Sequence, residues 1–321
     1  MSNPVVNIMV LAGGISHERE VSLRSGRRVA DALIEAGHTV SIVDPDASLF
    51  TRLATDKPDV VWPAVHGASG EDGALLDLLE ATGTRYVGPR ASSARLAWNK
   101  PIAKTLVARA GITTPDSITL PREAFRELGA STVLDVVSRG LGTDLVVKPA
   151  QGGSSQGVSL VGNADALPRA MVDAYTYSEV ALLEKRAYGT EVAVTVVDDG
   201  QGARALPVVE IVPSAGFYSF EARYNAGETT FFTPARLPEA TLVAVSEAAV
   251  VAHETLGLDY LSRIDFIVTE AGEPIFLEAN ALPGLTETSS APLAIDASGH
   301  ATAVLFNALA LRAAGLGLSN A

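Results

Sequence analysis

The chain has 321 residues, 47% hydrophobic and 19% charged, enough for two or three packed domains. Its formal net charge of −13 argues against a broad nucleic-acid surface, which needs surplus Lys and Arg, but leaves room for a local cluster of cations around one triphosphate. With no Cys, the chain has no disulfide, thiolate metal site or Cys nucleophile.

The N-terminus has no basic segment and only a short apolar run, so it reads as a first strand rather than a signal peptide. No stretch approaches the roughly 18 apolar residues of a membrane span. A cytoplasmic location without a membrane partner is expected. Asn7 to Ala12 predicts a strand that ends at Gly13-Gly14. Val21, Ser25, Val29 and Leu33, four apart, predict a helix with Gly37 at its C′ position. Thr39 to Val43 and Val60 to Ala64 predict two more strands, and Leu75 to Leu79 a helix. This alternation predicts a parallel sheet with helices on its faces, in a first domain over residues 1–88.

A helix from Lys100 to Ala110 opens a second domain, 89–183. Its strand Asp144 to Lys148 runs into a Gly/Ser-rich loop, Ala150 to Gly157, and a further strand, helix and strand reach Glu184. A third domain, 184–321, is rich in strands: Glu191 to Val197, Ala203 to Ile211 and Thr229 to Phe232. A helix, Glu239 to Leu256, precedes a final hairpin. There is no Pro/Ser-rich linker, so the domains are expected to pack closely around a ligand site.

The hairpin, Ser262 to Asn280, places charge most specifically. If its turn centres between Ala271 and Gly272, facing residues have numbers summing to 543. Asp265 then faces Glu278, and Arg263 faces Asn280, all on one face. Ile264, Phe266, Val268, Ile275, Leu277 and Ala279 are expected on the core face. Two opposed carboxylates repel, and an oxygen-seeking divalent cation such as Mg²⁺ would hold them. A solvated face of salt-bridged charges is the other reading of the same pattern. The loop after Asn280 offers a backbone N–H at Gly284 that suits an oxyanion.

Lys148 to Gly157 has glycines that admit a polyphosphate and Ser hydroxyls that donate to it. It is not a Walker A loop, because no Gly-Lys-Ser/Thr closes it and a strand follows. A flexible hairpin tip would have the same composition. Glu18 stands at a predicted helix start, where the helix dipole alone favours an acid. His66 follows the third strand, among polar and small residues where such folds bind ligands.

In order, Gly13-Gly-Ile-Ser-His-Glu-Arg-Glu-Val-Ser-Leu23, His66-Gly-Ala-Ser-Gly-Glu-Asp-Gly73, Lys148 to Gly157, Glu184 to Glu191, Glu210-Ile211, Glu221-Ala-Arg-Tyr224 and Arg263 to Ser290 resemble the D-alanine–D-alanine ligases, a family of ATP-grasp enzymes. The resemblance implies an α/β and α+β fold, with a parallel-sheet domain ahead of two domains that clasp ATP. It implies Lys100 and Lys148 at the α- and β-phosphates, Glu184 at the adenine edge and Glu191 at the ribose. The loop of Ser154 and Ser155 would cover the phosphates, with Arg223 and Leu277 also in the ATP site. Asp265, Glu278 and Asn280 would hold two Mg²⁺ ions, for which Mn²⁺ can substitute. Glu18, with Ser154 and Tyr224, would take the first D-alanine; Arg263 and Gly284 would form the oxyanion hole. His66 and Ser289 would bind substrate, Ser289 through the carboxylate of the second D-alanine. The segment from Phe217-Tyr218 to Tyr224 would be a lid, and the enzyme a homodimer in peptidoglycan synthesis.

Four positions depart from the family pattern. Arg223 stands where Lys is usual, Gly152 where the phosphate loop carries an acid, Asn99 where Asp precedes the first phosphate lysine, and Arg186 where the adenine hinge has an aromatic. Two other readings stand beside the ligase: a related ATP-grasp ligase joining another amino or hydroxy acid pair, and an inactive nucleotide-binding regulator. Intact Arg263, Asp265, Glu278 and Asn280 argue against the second.

Overall fold

The computed structural model describes residues 4–225 and 227–316. Three sheets follow one another along the chain. The first region runs β1 (Asn7–Leu11), α1 (Arg19–Glu35), β2 (Thr39–Val43), α2 (Leu49–Asp56), β3 (Val60–Pro63), α3 (Ala68–Glu71) and α4 (Ala74–Ala81). Its strands pair in parallel in the order β2-β1-β3. The apolar run of β1 is buried on both faces, as parallel strands are. α1 ends as Gly37 predicts. Gly37 N–H donates to Ile34 O at 2.9 Å and His38 N–H to Leu33 O at 3.0 Å, with Gly37 at φ +93°.

Two helices, α5 (Ala91–Trp98) and α6 (Lys100–Arg109), lead to the second sheet. It contains β4 (Ser117–Pro121), α7 (Arg122–Glu127), α8 (Ala130–Leu141), β5 (Leu145–Pro149), β6 (Ser159–Val161), α9 (Leu167–Tyr177) and β7 (Val180–Lys185). The strands are antiparallel in the order β4-β7-β5-β6, so the Gly/Ser loop is the β5–β6 hairpin and Glu184 lies on β7.

The third sheet is built from β8 (Thr190–Val197), β9 (Arg204–Ala205), β10 (Val209–Pro213), β11 (Thr229–Phe232), β12 (Leu261–Val268) and β13 (Pro274–Asn280). Four helices accompany it: α10 (Phe220–Tyr224), α11 (Glu239–Thr255), α12 (Ser290–Ala297) and α13 (Thr302–Ala314). The order is β11-β10-β8-β12-β13, with β9 paired to β8. The single strand expected over Ala203 to Ile211 is therefore two strands, interrupted at Leu206-Pro207-Val208, where Pro207 has no N–H for a ladder.

Long-range packing joins these sheets. Ala94 of α5 and Val107 of α6 share a core with Val192, Phe266 and Phe276 of the third sheet. The last helix, α13, returns to the first sheet, where Phe306 packs on Trp62 with ring centroids 4.9 Å apart. Among the described residues no single helix is long and apolar enough to cross a membrane.

The final hairpin corrects the expected register in part. Arg263 pairs with Asn280, Ile264 with Ala279 and Asp265 with Glu278, but Phe266 pairs with Phe276 and Val268 with Pro274. The turn centres on Ala271, with Thr269 N–H donating to Glu273 O at 3.0 Å, and a bulge takes up the extra residue, Leu277. Phe276, not Leu277, therefore enters the core beside Phe266. Ile275 pairs with Ile267, and Leu277 turns to line a cavity. The bulge restores the opposition of the two carboxylates where it matters.

Candidate active site

Five lysine and glutamate side chains form a buried network at the centre of the molecule. Helix α6 brings in Lys100 and Lys104 one turn apart. Its N-cap is Asn99, whose Oδ1 accepts from Ile102 N–H at 3.2 Å, so this departure from Asp keeps the helix start intact. Lys100 Nζ donates to Gly152 O at 2.5 Å and lies 3.2 Å from Glu278 Oε2. Gly152 thus supplies a carbonyl to the lysine in place of the acid that the loop lacks. Lys148, at the end of β5, lies 2.5 Å from Glu184 Oε1, and Lys104 lies 2.6 Å from Glu184 Oε2. Burial pushes the Glu184 carboxyl up, but Lys148 and Lys104 outweigh it and hold the group ionised.

A cavity of about 490 Å³ opens over this network. Lys100, Lys148, Glu184, Glu191, Arg223, Asp265, Leu277 and Glu278 all line it, together with Ser155 from the loop. Burial pushes Glu191 up to about 7; Arg223 opposes the shift, and Asp265 and Glu278 add to it. Arg186 lines the cavity too, with its guanidinium 4.9 Å from the ring centre of Tyr188, so an aromatic stands two residues beyond the hinge position. Glu210 is clamped by Arg236 through Nε–Oε2 at 2.9 Å and Nη2–Oε1 at 2.6 Å.

A second, much smaller cavity of about 50 Å³ adjoins the first. Gly153, Ile211, Tyr218, Arg223 and Asp265 border both, and Glu18, His66, Ser154, Arg263, Gly284 and Ser289 are among the residues that line the smaller one. Glu18 occupies the N-cap position of α1 but makes no side-chain cap; its carboxylate accepts from Ser154 Oγ. Glu18 therefore stands where the helix dipole favours an acid and also ties the helix start to the Gly/Ser loop. His66 Nε2 meets Ser25 Oγ at 2.9 Å, and Ser25 Oγ accepts from Leu285 N–H at 3.0 Å. On its other side His66 Nδ1 lies 3.6 Å from Glu71 Oε1. Burial raises the Glu71 carboxyl. Ser289 Oγ contacts Thr286 Oγ1 at 2.9 Å and accepts from Thr286 N–H at 3.2 Å, which braces the loop of Gly284.

The hairpin residues converge as expected. Arg263 grips Asp265 with two hydrogen bonds, Nε–Oδ1 at 2.8 Å and Nη2–Oδ2 at 2.9 Å. Burial would push the Glu278 carboxyl up, yet Lys100, Lys148, Arg223 and Arg263 bring it down to about 2. Asn280 Nδ2 is buried without a hydrogen-bond partner among the described residues. Over the junction of the cavities, Ser155 Oγ donates to Tyr218 O at 2.8 Å and accepts from Arg223 Nε at 3.1 Å. The Arg223 guanidinium stacks 4.1 Å from the Tyr218 ring centre. Tyr224 ends α10, and its side chain lies outside the described part of the structure.

The chain has relatives in both sequence and fold. The model of the D-ala D-ala ligase C-terminus matches residues 106–310, more than half of the chain. The chain belongs to the D-alanine–D-alanine ligase family. The D-alanine–D-alanine ligase of Anaeromyxobacter sp. (strain K) is 41% identical over 285 residues, covering 89% of each chain. That of Geobacter sulfurreducens is 40% identical over 296 residues, covering 91% of this chain and 89% of the relative. Among solved structures, the D-alanine–D-alanine ligase of Bacillus anthracis superposes with TM-score 0.80 at 27% identity, covering 97% of both chains. The VanG D-Ala:D-Ser ligase of Enterococcus faecalis superposes with TM-score 0.80 at 26% identity, covering 98% of this chain and 99% of that one. The architecture is ATP-grasp, with a parallel sheet ahead of two antiparallel ones.

For a ligase of this family, sequence reasoning left three site residues unassigned. Lys104 reads as one more helical lysine; only its position four after Lys100 hints that it shares that face. Glu71 lies inside the His66 to Gly73 motif, where nothing in the pattern gives it a role, and Ser25 meets His66 across 41 residues, a contact no local pattern announces.

Proposed function

We infer that the chain is an ATP-dependent ligase that joins two D-alanine molecules through a D-alanyl phosphate, releasing ADP and phosphate, for peptidoglycan synthesis. The observation that carries this is the junction of the two cavities at Gly153, Arg223 and Asp265, where a γ-phosphate in the large cavity would meet a carboxylate in the small one. A carboxylate is a poor electrophile, and phosphorylation gives it a good leaving group. Lys100 and Lys148 suit the α- and β-phosphates, Glu184 the adenine edge and Glu191 the ribose. Ser154, Ser155 and Arg223 suit the phosphate-loop contacts, and Leu277 a base-side apolar contact. Glu18 and Ser154, with Tyr224, suit the ammonium of the first D-alanine. The second D-alanine would place its carboxylate at Ser289, with His66 nearby, and its amine would attack the acyl phosphate. Arg263 and the Gly284 N–H would stabilise the resulting oxyanion.

Asp265 and Glu278, directly opposed, fit magnesium, and the Oδ1 of Asn280, which shares their face of the ribbon, would be a further oxygen ligand, while its buried Nδ2, without a partner among the described residues, would donate to a substrate oxygen. Two Mg²⁺ ions, or Mn²⁺, would offset phosphate charge during transfer. Closure of the Ser155–Tyr218–Arg223 contacts would exclude water from the acyl phosphate. We further propose three functional units, 1–88, 89–183 and 184–321, a homodimer, and a cytoplasmic location, where ATP is abundant.

The test is incubation with ATP, Mg²⁺ and D-alanine, following ADP, phosphate and product mass, with L-alanine and D-lactate in parallel. Dipeptide from D-alanine, with one ADP per bond, is expected. ADP without dipeptide, or product from another pair instead, would move the assignment to a different acid and amine.

A further inference from the structure

The Lys148–Glu184–Lys104 arrangement holds a carboxylate between two ammonium groups, with Glu184 only 2% exposed and Lys104 3%. Both Glu184 oxygens are taken, Oε1 by Lys148 and Oε2 by Lys104. Lys104 is otherwise anchored by Pro115 O at 3.0 Å, whereas Lys148 and Glu184 line the large cavity and Lys104 does not. The two lysines therefore differ in surroundings: Lys148 borders open space that its ammonium could enter, whereas Lys104 borders none and is held by Pro115 O as well as Glu184.

We propose that Lys104 is a positioning residue that keeps Glu184 paired while Lys148 moves from it to the phosphates of ATP. A buried carboxylate that loses its only cation is strongly disfavoured, so without Lys104 the Lys148 ammonium would be held on Glu184 and withheld from the nucleotide. With Lys104 in place, Glu184 keeps one partner and frees Oε1 to accept a hydrogen bond from the 6-amino group of adenine. Lys104 thus sets nucleotide affinity without touching the nucleotide. This inference rests on the ATP site proposed above.

The test is a double-mutant cycle on the full chain: wild type, Lys104→Met, Glu184→Gln and Lys104→Met/Glu184→Gln. Mg·ATP affinity is measured by calorimetry, and ATP KM and kcat with D-alanine. Lys104→Met is expected to weaken ATP binding and raise its KM by about tenfold to hundredfold, with kcat changed by less than about threefold. In the Glu184→Gln background, where no buried carboxylate needs a partner, the same substitution is expected to change affinity by less than about threefold. Should Lys104→Met fail to fold, Lys104→Gln, which keeps a donor near Pro115 O and removes the charge, takes its place in both backgrounds of the cycle. An equal loss from Lys104→Met in both backgrounds would show that Lys104 does not act through Glu184 and would overturn the inference. So would unchanged ATP affinity in folded Lys104→Met. Wild-type protein that binds no Mg·ATP would overturn the site assignment and this inference together, whereas the other outcomes leave the ligase reading standing.

Discussion

Asp265 and Glu278 face each other across the β12–β13 ribbon, and each is held by a cation from a different direction: Arg263 on the same strand for Asp265, Lys100 from α6 for Glu278. Like charges opposed on a ribbon are destabilising unless something intervenes. The two cations supply that compensation within the protein; on the function proposed above, a divalent ion would add to it. Asp265→Asn keeps one oxygen for Arg263 but removes the charge. Turnover is expected to fall by about a thousandfold or more, the size of several kcal/mol of lost charge stabilisation. Stability should drop by only about 1–2 kcal/mol in a denaturant titration. Normal turnover in a folded variant would remove Asp265 from the metal set.

Gly67 shapes the small cavity through what it lacks. At φ +77°, a Cβ there would sit 2.8 Å from Glu18 Oε2 and 3.0 Å from Ser16 Cβ. Gly67→Ala would push the Glu18 carboxylate away from Ser154 and strain the backbone. The KM for the first D-alanine is expected to rise about tenfold or more, the worth of a charge-assisted hydrogen bond, with ATP KM unchanged. Steady-state kinetics with each substrate varied separately checks this. A shift in ATP KM instead would mean that Gly67 supports the phosphate loop rather than the ammonium site.

The hairpin shows how far sequence patterning reaches. The pairing of Asp265 with Glu278 follows from alternation and a turn, yet the turn lies half a residue from the assumed centre and the Leu277 bulge compensates. Bulges answer to packing, here the need to seat Phe276 beside Phe266, and that need is not local. Gly37 was legible because a C′ glycine obeys the helix alone. Lys104 was not, because its partner Glu184 stands 80 residues away, on a strand of the second sheet. Likewise the packing of α5 and α6 on the third sheet, and of α13 on the first, depends on contacts no window contains.

Arg223 replaces a usual lysine, and its geometry uses what lysine lacks. The Nε bond to Ser155 Oγ and the stack on Tyr218 together tie the Gly/Ser loop to α10 and the turn before it. Arg223→Lys keeps the charge and loses both contacts. Closure should loosen, and water should reach the acyl phosphate. The expected signature is more than one ADP released per dipeptide, measured by coupled ADP assay against product mass. A ratio that stays at one while the rate falls would assign Arg223 to phosphate binding alone.

His253 links stability to pH away from the active site. It lies on α11, only 2% exposed, with Nδ1 2.7 Å from Ser262 Oγ on β12. Burial lowers its pKa from 6.5 to about 4; Asp259 and Asp198 oppose the shift. Between these values the unfolded chain binds a proton that the folded chain refuses, so stability rises with pH across the window and falls as the solution is acidified. The contribution is fully present above about pH 6.5 and is lost progressively towards pH 4, amounting to about 3 kcal/mol. His253→Asn places an amide near the Nδ1 position and cannot titrate. Denaturant unfolding at intervals from pH 7 to pH 4 should therefore show a flatter decline in the variant than in the wild type. It should do so even though the variant starts less stable, because its loss of packing does not depend on pH. Parallel curves would mean that His253 binds its proton equally well in the folded and unfolded chains, with Asp259 and Asp198 offsetting its burial.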